Sequence, residues 1–391
     1  MGKQSSRIYF NAKDHKDIYF NGNFHKAMYL TDEKANAYLV WEKLAENKTF
    51  VFVLQDTMEV YEVGNVPSMA AGTIGFYISP LGEVTIDWGD GSVEKYTSYG
   101  FVTHTYPTNN KTKYNVKIDG YFTDLMTYKT TNSVHESALC QILTSIKVEK
   151  RLKNQTLPLF GYSKLLTEIP SNLFEEYRGL NISAYRTFGN TGITEIPEGL
   201  FDGIETLECI ETFIDNPIIK IPGKLFQNTD VSKMTRAFSG TNIIDIPSEL
   251  FANGQNITDM QGTFSNTNIL TIASGLFDNC TEVINYSNCF EDCKNLISVN
   301  QDLFSNSKKS VAFDRTFKNN TGLIDVPQGL FDFNRFENGQ KISFVETFYN
   351  CKNVTSIVPE LWNRNDISTF NGCYYNCVNA TNYNIIPDNW K

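Results

Sequence analysis

The segment TEIPSNLF, ending at Phe174, returns as TEIPEGLF, IKIPGKLF, IDIPSELF, LTIASGLF, ISVNQDLF, IDVPQGLF and, more loosely, TSIVPELW. Most of this chain is therefore one unit copied in tandem. Its anchors are Ile169, Ile196, Ile221, Ile246, Ile272, Val299, Val326 and Ile357, spaced 25 to 31 residues apart. An aromatic precedes each anchor by eight or nine residues: Phe160, Phe188, Phe213, Phe238, Phe264, Phe290, Phe317 and Phe348. A single unit of that size cannot bury its own apolar edge, so the copies must stack on one another.

Between the corners run segments such as VSKMTRAF (231–238), ITDMQGTF and ISFVETF, whose alternation predicts a strand with one buried face. Proline then breaks the ladder, and the LF pair packs back as a short helix or 3-10 turn. Asn, Gly, Ser and Thr follow, as in FGNTG and FSGTN, and supply the bend. The order V/I-xx-M-xxx-F…I-xx-I-P-xx-L-F resembles the leucine-rich repeats, especially the variant repeats of bacterial surface proteins. The resemblance implies an α/β repeat, a β-rich solenoid with short helices or 3-10 turns over 137–391.

The stretch GEVTIDWGDGSVEKYT predicts a hairpin: Val84 and Ile86, an Asp90-Gly91 turn, and a return strand from Val93 to Tyr96. Val116 and Ile118 mark a further strand. With His104-Thr105-Tyr106, the set resembles the PKD-like immunoglobulin-type sandwich, placed at 45–136. His104 and the aspartates suit a turn and a buried histidine hydrogen bond better than a catalytic centre.

Residues 1–44 hold a shorter repeat, RIYFNAKDHK then DIYFNGNFHK, followed by MYL and VWEKL. It resembles the attachment segment of tail proteins of phages and phage-tail-like bacteriocins of Gram-positive hosts. That resemblance implies docking to tail or baseplate proteins through Tyr9, Phe10, His15, Tyr19, Phe20, His25 and Trp41, and allows a homotrimer.

The eight cysteines are too sparse for a disulfide scaffold. The pairs Cys289/Cys293 and Cys373/Cys377 flank the aromatic at one phase of the repeat, with no histidine near, so buried thiols are expected and no metal or cofactor. A net charge of −10 argues against nucleic acid as partner. No run of 18 apolar residues exists, so membrane insertion is not expected. The start of the chain has no secretory h-region. A protein made in the cytoplasm and working outside it as part of a released particle fits all of this.

The expected function is host recognition: a receptor-binding protein, not an enzyme, that holds a protein or glycan of the bacterial surface. Aligned on the corner Phe, two variable columns of the expected concave strand face offer the contacts. They hold Tyr185 and Asp314 in one, and Arg186, Glu211, Arg236, Asn288, Arg315 and Glu346 in the other, with Tyr185 and Arg186 as the best anchor pair. A surface adhesin is the alternative. A glycan depolymerase using acids such as Glu211 and Glu346 is the second alternative.

Overall fold

The computed structural model describes residues 73–106, 113–120, 122–126, 157, 159–332 and 340–391, together with the strand backbones of 17–20, 23–26, 28–31, 37–40, 50–55, 130–131, 134–135 and 143–147. It divides into two compact units, Met1–Lys48 and Thr49–Lys391. In the first unit β1 (Asp17–Phe20) pairs antiparallel with β2 (Asn23–Lys26), and β3 (Met28–Thr31) with β4 (Ala37–Val40). Tyr19 and Phe20 fall on β1 and His25 on β2, opposite Ile18; their side chains, and Tyr9, Phe10, His15 and Trp41 altogether, lie outside the described residues.

The second unit opens with two sheets. The strands are β5 (Phe50–Gln55), β6 (Thr73–Pro80), β7 (Val84–Asp87), β8 (Val93–Tyr96), β9 (Gly100–Thr105), β10 (Lys113–Asp119), β11 (Phe122–Met126), β12 (Thr130–Thr131), β13 (Val134–His135) and β14 (Leu143–Lys147). One sheet runs β14-β5-β10-β7-β8 and the other β11-β6-β9, with β12 and β13 a separate pair. The hairpin expected from the DWGDG stretch is present as β7 and β8. Its turn is tied by Asp87 and Asp90, whose carboxylates accept from Gly89 and Ser92 at 2.9 Å. Gly89 has φ +80, and a Cβ there would strike the Asn115 carbonyl oxygen at 2.6 Å, so no other residue fits this turn. Ile74, Phe76 and Ile78 of one sheet and Val84, Ile86, Val116 and Ile118 of the other are all buried around Trp88. His104 stacks on Trp88 (4.8 Å, 11°) and bonds Asp90 at 2.8 Å. Burial would raise the Asp90 pKa, but the His104 and Ser92 hydrogen bonds hold it below the usual range. The histidine thus serves packing and turn closure.

From Leu157 onward the chain stacks turn upon turn. The strands β15 (Asn181–Ser183), β16 (Thr206–Glu208), β17 (Asp230–Lys233), β18 (Ile342–Ser343) and β19 (Ile367–Thr369) run parallel. Bridges at Lys233–Asp259, Asp259–Asn285, Asn285–Ala312 and Ala312–Ser343 join them into one ladder. The aromatics of Phe188, Phe213, Phe238, Phe264, Phe290, Phe317, Phe348 and Tyr374 form a stack with neighbouring centroids 5.5–5.8 Å apart and planes within 12°. The LF phenylalanines make a second column, Phe174–Phe201–Phe226 and Phe251–Phe277–Phe304–Phe331.

The β-rich, 3-10-containing part of the expectation is present, while the helical part of the α/β label and the last anchor change. Among the described residues the LF segments close as turns. Helical structure there amounts to short 3-10 pieces such as Glu175–Tyr177 and Leu361–Asn363. Most segments are headed by a proline that accepts but cannot donate, and Leu250 and Leu330 close back onto Pro247 and Pro327 at 3.1 Å as Leu303 does onto Asn300 at 3.2 Å, which makes a three-residue turn and not an α-helical one. The last anchor is Val358, fully buried, while Ile357 is 43% exposed; the longer spacing shifts the phase by one.

The CxxxC pairs find their explanation in the same stack. Cys293, Cys351 and Cys377 donate from Sγ to the carbonyls of Phe264, Phe317 and Phe348, at 3.1, 3.1 and 3.0 Å. Asn216 makes the equivalent bond to Phe188 at 2.9 Å. Thiol and amide both make this cross-turn bond, whereas the hydroxyls of Thr241 and Thr267 at the same place donate within their own turn to Phe238 and Phe264 at 2.7 and 2.8 Å. Burial pushes the Cys293 thiol up to about 11 and Cys209 and Cys377 to about 12. All seven described thiols are free and buried. Iodoacetamide at pH 8 is expected to leave all seven unlabelled in the native protein and to label them on denaturation, read by mass spectrometry; rapid native labelling of any one would contradict the packing.

Candidate ligand-binding face

The ladder position of each turn is the first site column: Ser183, Glu208, Lys233, Asp259, Asn285, Ala312, Ser343 and Thr369. Each is at least partly exposed. The residue after it points into the core: Ala184, Cys209, Met234, Met260, Tyr286, Phe313 and Phe344 are buried. The next position returns to the surface as Tyr185, Ile210, Thr235, Gln261, Ser287, Asp314 and Val345. The strands end at the first column, so the third column stands on the turn that follows it, at least partly exposed like the first while the residue between them is buried.

The column holding Arg186, Glu211, Arg236, Asn288, Arg315 and Glu346 is not on a strand. β17 ends at Lys233, and Arg186, Glu211, Arg236, Asn288, Arg315 and Glu346 have φ of 51, 50, 51, 60, 57 and 54. All but Glu211 are the third residue of a turn closed by a backbone bond, for example Ala237 to Met234 at 3.0 Å and Cys289 to Tyr286 at 3.1 Å. Glycine fills the same place at Gly262 and Gly372. A left-handed residue closes that turn so the aromatic can re-enter the core. Behind it, Thr212, Thr263, Thr316 and Thr347 donate to carbonyls of the preceding turn at 2.7–3.1 Å.

These charged side chains are largely engaged with one another. Glu211 takes a hydrogen bond from Arg186 Nε and lies 3.8 Å from Arg236. Glu346 takes Arg315 at 2.7 Å and Lys318 at 2.8 Å. Burial alone would lower the Arg186 pKa, but the Glu211 hydrogen bond and charge raise it. The Lys318 hydrogen bond, opposed by partial burial and reinforced by Arg315, holds Glu346 below the usual carboxylate range. A glycosidase acid needs the opposite shift, so Glu346 does not suit proton donation. The Arg186 guanidinium also lies 5.5 Å over the Tyr185 ring, which is 47% exposed.

Residue-type reasoning missed the first column altogether, including the Lys233–Glu208 pair at 2.8 Å. It also missed Tyr349 and Tyr375, stacked at 4.6 Å and 16° with Lys318 4.9 Å over Tyr349. The available signal was adjacency: each member of the first column sits immediately before the small or apolar residue that fills the core.

Glu346→Gln is expected to cost up to about 1 kcal/mol at pH 7, typical of partly exposed pairs. Because the folded pKa is depressed, that contribution is complete above the unfolded glutamate value of about 4.3 and disappears as pH falls through the folded one. Urea unfolding at a series of pH values from 7 downward checks this; a difference that does not shrink as pH falls would contradict it.

No family model matches the chain, and no curated protein matches it. Among solved structures it is similar to the Toll–Spatzle complex of Drosophila, at 18% identity over 53% of this chain and 36% of that one, with a TM-score of 0.18. The glycosylated form of that complex gives 17% identity, 57% and 38% coverage, and 0.19. The match spans well under half of the Toll–Spatzle chain, and at those scores the likeness fixes neither fold nor partner.

Proposed function

We propose that this chain is a receptor-binding protein of a phage tail or tail-like bacteriocin acting on Gram-positive bacteria. In this reading a leucine-rich-repeat solenoid binds a protein or glycan of the target surface, a PKD-like sandwich spaces it, and residues 1–44 dock on tail or baseplate proteins. The observation that carries the binding role is the parallel ladder through eight turns, from Ser183 to Thr369. Its inward residues are apolar, whereas its outward columns change from turn to turn among Tyr, Lys, Glu, Asp, Asn, Gln, Thr, Ser, Ala, Ile and Val. A constant scaffold with a varied outer face is how repeat proteins recognise partners. The particle assignment rests on the aromatic repeat RIYFNAKDHK–DIYFNGNFHK.

Binding alone is the activity in this reading, and purified cell-wall glycans incubated with the protein should release no reducing ends. The Tyr185→Ala, Arg186→Ala double variant is expected to adsorb to target cells about tenfold more weakly, as loss of an aromatic–arginine anchor does. Its thermal transition should stay within a few degrees of wild type. Unchanged adsorption would remove this pair from the contact.

A further inference from the structure

Beyond the ladder face, the turns expose one more column, two residues before the apolar anchor from Ile169 to Val326 and three before Val358, with Thr381 following through its hydroxyl bond to the Thr355 carbonyl. It reads Thr167, Thr194, Ile219, Ile244, Leu270, Ile297, Ile324, Thr355 and Thr381, all exposed. The five aliphatics are 54, 48, 45, 47 and 49% exposed. From Ile244 to Ile324 they run in one ladder, since Leu270, Ile297, Ile324 and Thr355 each donate to the carbonyl of the preceding member at 2.9–3.1 Å, and Ile219 holds the same place one turn earlier. Scattered exposed aliphatics need no explanation, but five at one place of successive turns make a patch that monomer surfaces seldom leave open.

The row is palindromic: two threonines, two isoleucines, leucine, two isoleucines, two threonines. A two-fold axis sets residue i of one copy against j of the other and j against i, so this order places side chains of one type opposite each other. With the axis at Leu270, Ile219 meets Ile324, Ile244 meets Ile297, and Leu270 meets itself. The adjacent charged column reads Glu195, Lys220, Asp245, Thr271, Ser298, Asp325 and Ser356. Antiparallel pairing sets Lys220 against Asp325 twice and Glu195 against Ser356, with no like charges opposed. Pairing turn for turn in the same direction would set Glu195, Lys220, Asp245 and Asp325 each against itself, which is repulsive. Nine turns about 4.8 Å apart span about 40 Å.

We infer that two copies of this chain associate antiparallel through the row centred on Leu270, leaving the ladder face free. The inference does not depend on what the ladder face binds. Leu270→Cys tests the geometry in the full chain: under mild oxidation it is expected to form a covalent pair, because the axis places each thiol beside its copy. Ile219→Cys alone should not, but mixed with Ile324→Cys it should, and wild type is the background control. In sedimentation velocity, Leu270→Asp is expected to give a single copy. Lys220→Asp should weaken pairing about tenfold, and the Lys220→Asp, Asp325→Lys double variant should restore it. A wild type that sediments as one copy at all concentrations, or an assembly unchanged by Leu270→Asp, would overturn the proposal. So would a Leu270→Cys chain that crosslinks no better than wild type.

Discussion

Phe264→Ala is expected to destabilise the repeat by about 3–5 kcal/mol, the range for truncating a fully buried phenylalanine. Its ring lies between Phe238 at 5.8 Å and Phe290 at 5.7 Å, and Phe251 meets it edge-on at 6.1 Å. Truncation opens a void in the middle of the stack, where neighbours on both sides are held by their own ladders and cannot collapse into it. Each turn contacts chiefly its neighbours, so the loss also uncouples the turns before it from those after it. Urea unfolding should show a lower midpoint and a broadened or split transition. Asn268→Ala, on the exposed side of the same turn, should shift the midpoint by less than about 0.5 kcal/mol. Equal effects from the two variants would mean that the aromatic stack is not the core.

The second large effect concerns the left-handed positions. Asn266 has φ 55 and follows Phe264 by two residues, a place taken elsewhere by Asn190, Asp215, Gly240, Asp292, Asn319, Asn350 and Asn376, all at positive φ. A β-branched side chain crowds the following carbonyl in this conformation, so Asn266→Val should cost about 1–2 kcal/mol. Asn266→Gly removes the conflict and is expected to be neutral or stabilising by a few tenths of a kcal/mol. A strand at this position would give the opposite ordering, with valine preferred over glycine. The two melting curves therefore discriminate turn from strand directly.

That contrast also explains what could be seen in the sequence. The corner phenylalanines, and every repeat anchor except the last, declared themselves because buried columns accept few residue types. The DWGDG hairpin did so because its turn chemistry is narrow. The Arg186–Glu346 column did not, because arginine and glutamate carry no left-handed signature; only Gly262 and Asn288 hinted at a turn there. Reading 231–238 as one strand consequently moved the face three residues along each turn and passed over Glu208, Lys233 and Asp259. The cross-turn pairing of Arg186 with Glu211, and of Arg315 with Glu346, depends on which copies stack in which register. No single repeat contains that information. The attachment residues Tyr9, Phe10, His15 and Trp41 lie outside the described residues, so their role stays a proposal resting on the repeat itself.

The ladder face is the centre of the account, and matched charge reversals test it. One variant carries Glu208→Lys, Lys233→Glu and Asp259→Lys on the face. The other carries Lys224→Glu, Glu249→Lys and Asp278→Lys, exposed on the LF side of the same three turns and equal in net charge change. Adsorption of each to Gram-positive target cells is measured beside wild type. The face variant is expected to lose at least about tenfold in affinity while the other adsorbs as wild type does. Wild-type adsorption by the face variant, or an equal fall in both, would contradict recognition through this face.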